Sequence, residues 1–246
     1  IDASNASQGY VMVKYSGGTS RIKVRISKGT EYTYDLNTAG NYEVFPLTEG
    51  SGTYTIKVFQ QVQGTSYAQV MSQTVTANIA DSQSPFLYPN QFCNFNANSA
   101  VVAKAAELTG GIADPLAKVQ AVYRYAIDHI SYDYQKAASV QSGYLPVPDA
   151  TLASGKGICF DYAAVMTSML RSQDIPTKLV IGYTGGTYHA WVSVYLSGQG
   201  WVDNIIYFDG TNWRYMDPTF ASSGKGDASV SNYISNQANY QAKFTY

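Results

Sequence analysis

The feature that most constrains this chain is a change of hydrophobic period part-way along it. From Gly9 to Ile79 the sequence reads in period two, as GYVMVKY, SRIKVRI, TEYTYDL, GTYTIKVFQQV and SYAQVMSQTVTANI, with Gly, Ser and Asn clusters between the runs. Alternation of this kind predicts β-strands with one face inward. Short strands rich in Val, Ile, Tyr and Thr predict a small antiparallel, sandwich-like domain, a module that serves binding or spacing rather than catalysis. The stretch DSQSPFLYPN, with Pro85 and Pro89, ends the alternation. This places a domain boundary near Ser84, with residues 1–84 as an accessory domain and 85–246 as a second one.

Beyond Ser84 the period is helical. NSAVVAKAAELTGG has Asn98 or Ser99 as a start and Gly110 or Gly111 as a stop. Asp114 followed by Pro115 supplies an N-cap and a preformed first turn, and Leu116, Val119, Val122, Tyr123, Ala126, Ile127 and Ile130 share one face. That helix is expected to reach about His129. After a loop rich in Gly, Pro and Ser, the run DATLASGKGICFDYAAVMTSMLRSQDIP takes a Gly-rich turn directly into an apolar-faced helix that must stop before Pro176. TKLVIGY, YHAWVSVYL, GWVDNIIYF and NWRYMDPT then read as strands. Helices followed by an antiparallel sheet give an α+β fold.

Three residues in this second region suit one chemistry. Cys159 opens its helix, where the dipole and free N–H groups favour a thiolate, and Gly155 and Gly157 let a substrate backbone approach. The Cys159 N–H would face an oxyanion at the attacked carbonyl. His189 starts the strand HAWVSVY, sharing a face with Trp191, Ser193 and Tyr195, where it can act as general base. Asp217, at a strand end before Pro218, can fix the imidazole's tautomer. Each also has a plain structural alternative: Cys159 as a small buried hydrophobe or a disulfide partner of Cys93, His189 as a satisfied core residue, Asp217 as a turn former. Only their order and placement as a set point to catalysis.

In that order, GKGICFDYAAVM, HAWVSVY, then GW and MDPT resemble the transglutaminase-like core domain, over roughly Pro85 to Ser223. The resemblance implies a papain-like arrangement, with helices packed on an antiparallel sheet. It implies that Cys159 attacks a carboxamide to give a thioester acyl-enzyme, His189 is base then acid, and Asp217 orients His189. For the second oxyanion donor Gln91, in YPNQF, is a candidate. Asp203, Asn204 and Tyr144 compete for supporting roles, Trp191 either walls the site or is core, and Asp161 reads as a favourable charge in the first helical turn. A peptidase or amidase and a transglutaminase remain open, as does a non-catalytic extracellular binding or scaffold protein that retains the three residues.

Composition narrows the partners. A formal net charge of -1 with no Lys/Arg run offers no footprint for nucleic acid, and no apolar run has the roughly 18 to 20 residues needed to span a bilayer. Two cysteines and two histidines, without CxxC or HExxH spacing, give no expectation of a metal or another cofactor. Only 13% of residues are charged and 22 are tyrosines, a surface expected of an exported bacterial protein, extracellular or on the cell surface. The expected partner is a protein or peptide substrate, cell-wall or surface-associated peptides included.

Overall fold

The computed structural model describes residues 1–17, 20–203, 206–208, 213–215 and 236–246, the last but one and its predecessor as backbone only. The chain divides into two compact units, Ile1–Gln91 and Phe92–Tyr246.

The first unit is built from β1 (Tyr10–Val13), β2 (Ile22–Ser27), β3 (Glu31–Leu36), β4 (Glu43–Pro46), β5 (Gly52–Gln63) and β6 (Ser66–Ala77). β1 and β4 form a two-stranded antiparallel sheet; the other four run in the order β3-β2-β5-β6, all antiparallel. Alternation decides which face is inward: Val24 and Ile26 of β2, Tyr34 of β3, and Tyr54, Ile56 and Val58 of β5 are buried, as are Val11, Val13 and Phe45 of the smaller sheet. The Tyr34 ring meets Phe45 edge-on, centroids 5.1 Å apart, so the two sheets face each other as a sandwich. β6 departs from its own pattern. Only Val75 and Ala77 are buried in it, while Val70 and Met71 are exposed. β5 and β6 are 12 residues long and the small sheet's strands are 4, so the small sheet is too short to cover the far half of the hairpin.

The proline-rich stretch after Ser84 stays with this unit. Ser84–Phe86 forms one 3-10 turn, Ser84 Oγ donates to the Gln8 carbonyl, the Tyr88 hydroxyl donates to Gln8 Oε1, and the Tyr88 ring lies 4.7 Å from that of Tyr10. These ties carry the division seven residues past Ser84, to Gln91.

The second unit begins with α1 (Ala100–Thr109), α2 (Pro115–His129), β7 (Ser131–Tyr132), α3 (Tyr134–Ser139), α4 (Pro148–Ser154), β8 (Lys156–Gly157) and α5 (Cys159–Arg171). It continues with β9 (Thr177–Thr184), β10 (Thr187–Leu196), β11 (Gly200–Val202), β12 (Ile206–Phe208), β13 (Trp213–Tyr215) and β14 (Tyr240–Thr245). The Asp114 carboxylate accepts from the N–H groups of Leu116 and Ala117, so the cap read in the sequence forms. The main sheet has the order β11-β10-β9-β14, antiparallel throughout. β12 and β13 pair separately. β9 and β10 are joined by Gly185 and Gly186, with φ of +53° and +80°, the backbone a tight hairpin turn demands.

α5 is the centre of this unit. It packs on β9 and β10 on one side and on α1, α2 and α4 on the other. Every residue from Asp161 to Arg171 is therefore buried, not merely one face. Met166, Met169 and Leu170 are wholly inaccessible, each side chain stabilising the fold by about 1.5–3 kcal/mol. Ala163, Ala164, Thr167 and Ser168 are small enough for the neighbours to close around the helix. At its far end the buried Arg171 guanidinium donates to the carbonyls of Thr177 and Tyr246, at 2.7 to 2.9 Å, and to Cys93 Sγ at 3.2 Å. Burial depresses the basicity of Arg171, which the neighbouring Cys93 partly offsets. These bonds fasten the helix to the sheet.

Candidate active site

Cys159 is the first residue of α5 and is half-buried, while the helix behind it is sealed. The chain reaches it through two glycines. Gly155 has φ +61° and closes α4, its N–H donating to the Thr151 carbonyl. At Gly157 a Cβ would stand 2.6 Å from Asp161 Cβ and 3.2 Å from Thr151 Cγ2, so no larger residue fits. β7 runs parallel to β8 and pins this turn: the N–H of Ser131 donates to the Gly155 carbonyl at 2.9 Å and that of Asp133 to the Gly157 carbonyl at 3.0 Å.

The start of α5 is capped in an unusual direction. Its N-cap is Ile158, whose side chain can accept nothing. The cap comes instead from inside the helix, where Asp161 Oδ2 accepts from the Ile158 N–H at 2.8 Å. Among the described residues, no group accepts from the N–H of Cys159 or Phe160. Two backbone donors at a helix N-terminus thus stay available beside the thiol, the arrangement that stabilises a thiolate or an oxyanion.

Asp161 is fully buried and takes three further constraints. Its Oδ2 accepts from Lys136 Nζ at 2.7 Å, its Oδ1 from the Tyr144 hydroxyl at 2.5 Å, and Lys136 also reaches the Tyr144 oxygen at 2.5 Å. Burial alone would lower the Lys136 ammonium, but the bonds to Asp161 and Tyr144 outweigh it and raise its pKa above the usual lysine range. Burial, then the bond to Asp161, raises the Tyr144 phenol. Asp161 is therefore the buried anchor of the turn that leads into Cys159, a larger role than the favourable end charge read in the sequence.

His189 is the third residue of β10, on which α5 packs, and is only 5% exposed. It stands opposite Gly182 of β9. Trp191 is a core residue: it is buried, its ring stacks beside the imidazole with centroids 6.2 Å apart, and it meets Tyr240 of β14 edge-on at 5.3 Å. At Gly182 a Cβ would lie 2.0 Å from the Gln241 carbonyl oxygen and 2.8 Å from the Trp191 ring. Glycine is obligatory there because β14 bulges between Ala242 and Phe244 and brings its backbone over β9.

The remaining expectations divide. Asp217 and Asn204 lie outside the described residues. Gln91 belongs to the first unit, where its side-chain N–H donates to the Asp35 carbonyl at 3.1 Å. Asp203 is exposed after β11, and its charge acts on Lys178, whose ammonium lies 3.8 Å from the Trp201 ring centroid. The Cys93–Cys159 disulfide is ruled out: both thiols are free, and Cys93 touches Arg171 at the opposite end of α5. Twelve helical residues separate the ends by roughly 18 Å, far beyond the reach of a disulfide. Among the described residues no group of three His, Cys, Asp or Glu side chains could hold a metal ion, and no helix is long and apolar enough to cross a membrane.

The sequence reading missed Tyr132 and Lys136. Tyr132 stands opposite Gly157 in the β7–β8 pair; burial raises its phenol, and the neighbouring Cys159 raises it further, which places it close to Cys159. No spacing announces it. Lys136 could have been found, since it is the one lysine or arginine between Arg124 and Lys156.

Residues 102–218 match the model of the transglutaminase-like superfamily. The chain is 25% identical over 237 residues to YebA of Bacillus subtilis (strain 168), covering 89% of this chain and 29% of YebA. It is 31% identical over 120 residues to a protein-glutamine gamma-glutamyltransferase of Pseudomonas aeruginosa, covering 43% of this chain and 18% of that protein. The chain thus spans less than a third of the length of these two relatives. The crystal structure of the periplasmic domain of TgpA from Pseudomonas aeruginosa superposes with a TM-score of 0.45 at 16% identity, covering 95% of this chain and 96% of that one. Residues 102–218, just under half of this chain, are thus similar to the transglutaminase-like superfamily.

Proposed function

We propose that this protein is an exported cysteine acyltransferase acting on peptide or side-chain amides, with Cys159 as nucleophile and His189 as general base. The observation that carries the reading is a half-exposed thiol beside two available N–H donors, at the tip of an otherwise buried helix packed on the strand that bears His189. The thiolate attacks the amide carbonyl, and the developing oxyanion takes bonds from the N–H groups of Cys159 and Phe160. His189 gives its proton to the departing amine, leaving a thioester on Cys159. Water or a second amine then attacks, His189 takes its proton, and the thiol is released. The likeness of residues 102–218 to the transglutaminase-like superfamily supports this reading, in which Asp217 orients His189. The natural substrate is a protein or peptide at the cell surface or outside it.

The test incubates wild type, Cys159→Ala and His189→Ala with glutamine-containing peptide libraries, with and without a primary amine. Product from wild type alone is expected. New amine adducts identify transamidation, and cleaved or deamidated peptides identify hydrolysis. Equal product from wild type and Cys159→Ala would remove the proposal.

A further inference from the structure

The hydrogen bonds around Asp161 close into a ring that encloses the two residues immediately before Cys159. The Gly157 carbonyl accepts from the Asp133 N–H at 3.0 Å; Asp133 Oδ1 accepts from the Lys136 N–H at 2.9 Å; Lys136 Nζ donates to Asp161 Oδ2 at 2.7 Å; and Asp161 Oδ2 accepts from the Ile158 N–H at 2.8 Å. Three segments distant in sequence, namely α3, the Tyr144 loop and the first turn of α5, meet on one carboxylate.

This is an expensive way to cap a helix. A Ser or Asp at position 158 would do it locally, and would consume an N–H in the first turn. A buried carboxylate needs an ammonium, a phenol and an amide to compensate its desolvation. What the costly arrangement achieves is a first turn held rigidly from behind, with the N–H groups of Cys159 and Phe160 left for other use. α3 contributes no buried residue of its own, so its place beside the nucleophile depends on the cap from Asp133 and on Lys136.

We infer that Asp161, with Lys136 as its counter-ion, is the positioning residue of the nucleophile, acting through the Gly157–Ile158 turn to hold the Cys159 thiolate against its own helix N-terminus. The inference rests on the reading of Cys159 as the reactive thiol. It assigns Lys136, some distance away in sequence and partly open to solvent, a role in reactivity beyond its part in holding the fold.

The test measures alkylation of Cys159 by iodoacetamide at neutral pH in the full chain, followed by the mass of the peptide carrying Cys159, alongside thermal unfolding. Lys136→Met, which strips a buried carboxylate of its counter-ion, is expected to unfold at a lower midpoint than wild type, and at a temperature where it is still fully folded to alkylate about threefold to fivefold more slowly, the size of one helix-end charge interaction. Lys136→Arg, which keeps the cation, is expected to restore the rate. Asp161→Asn, which keeps an acceptor for Ile158 but loses the ion pair, serves as the second variant and is expected to be slow as well. A folded Lys136→Met with wild-type alkylation, a Lys136→Arg no faster than Lys136→Met, or rates that fall only in step with loss of fold in both Lys136→Met and Asp161→Asn would overturn the inference. Alkylation needs no substrate. A wild type that alkylates rapidly and turns over no peptide would defeat the proposed function while leaving this comparison intact.

Discussion

Glycine to alanine in a strand ordinarily stabilises a protein by about 0.4–1 kcal/mol, because the unfolded chain loses freedom. Gly182→Ala should do the opposite. The new Cβ would stand 2.0 Å from the Gln241 carbonyl oxygen, a distance real methyl groups never adopt, and 2.8 Å from the Trp191 ring. Since Trp191 is itself wedged between His189 and Tyr240, the strand β14 must retreat by roughly 1 Å. Overpacking of this kind costs about 1–3 kcal/mol, and each ladder bond lost between β14 and β9 about 0.5–1.5 kcal/mol more. With one or two bonds lost, a destabilisation of about 2–5 kcal/mol is expected. Urea unfolding followed by tryptophan fluorescence reads it cleanly, because Trp191, Trp201 and Trp213 all lie in the second unit. A variant as stable as wild type, or more so, would refute the placement of β14 against the His189 register.

Two further outcomes follow from charge and burial. Native protein treated with iodoacetamide should be modified at Cys159 and not at Cys93, which is wholly buried against Arg171 and should react only after denaturation; modification of both at equal rates contradicts the burial. Alkaline stability should fall early. Burial raises the phenols of Tyr10, Tyr54, Tyr132, Tyr144 and Tyr188, and the bonds to Asp161 and Tyr144 outweigh burial to raise the Lys136 ammonium. The folded state therefore holds these protons more tightly than the unfolded chain. Their contribution is complete below about pH 10 and is lost as the pH climbs through the raised values. Phenolate absorbance should lag behind that of free tyrosine and then rise together with unfolding. An unfolding midpoint unchanged between about pH 9 and 11 would contradict this.

What could be read in advance was whatever the chain signals locally. Asp114–Pro115 announces α2, and the glycines at 155 and 157 announce the start of α5. The fold class followed, because the change of period separates a strand layer from helices on a sheet. The parts that escaped are those fixed by partners far away in sequence. α5 has an apolar face in sequence, yet all its later residues are buried, because α1, α2, α4, β9 and β10 surround it. Lys136 and Tyr144 sit in a stretch that reads as loop, and only the fold brings them to Asp161. The sequence reading names no strand at Tyr240–Thr245, where β14 takes its strand character from pairing with β9.

That last pairing sets an order of assembly. β9 has two neighbours of very different reach: β10 follows it across a two-residue turn, while β14 returns to it only after Tyr240. The hairpin closes a short loop and β14 a long one, so closure entropy favours the hairpin forming first and β14 docking late. In the native state the same asymmetry makes β14 the first strand of the sheet to open, uncovering the Trp191 face while His189 remains held by the hairpin. Hydrogen exchange should therefore release the β14 amides at lower free energy than those shared by β9 and β10, and the reverse order would contradict it. The imidazole and the Trp191 ring would then belong to the early-forming, last-melting hairpin, and Tyr240, which meets that ring edge-on, to the strand that leaves first.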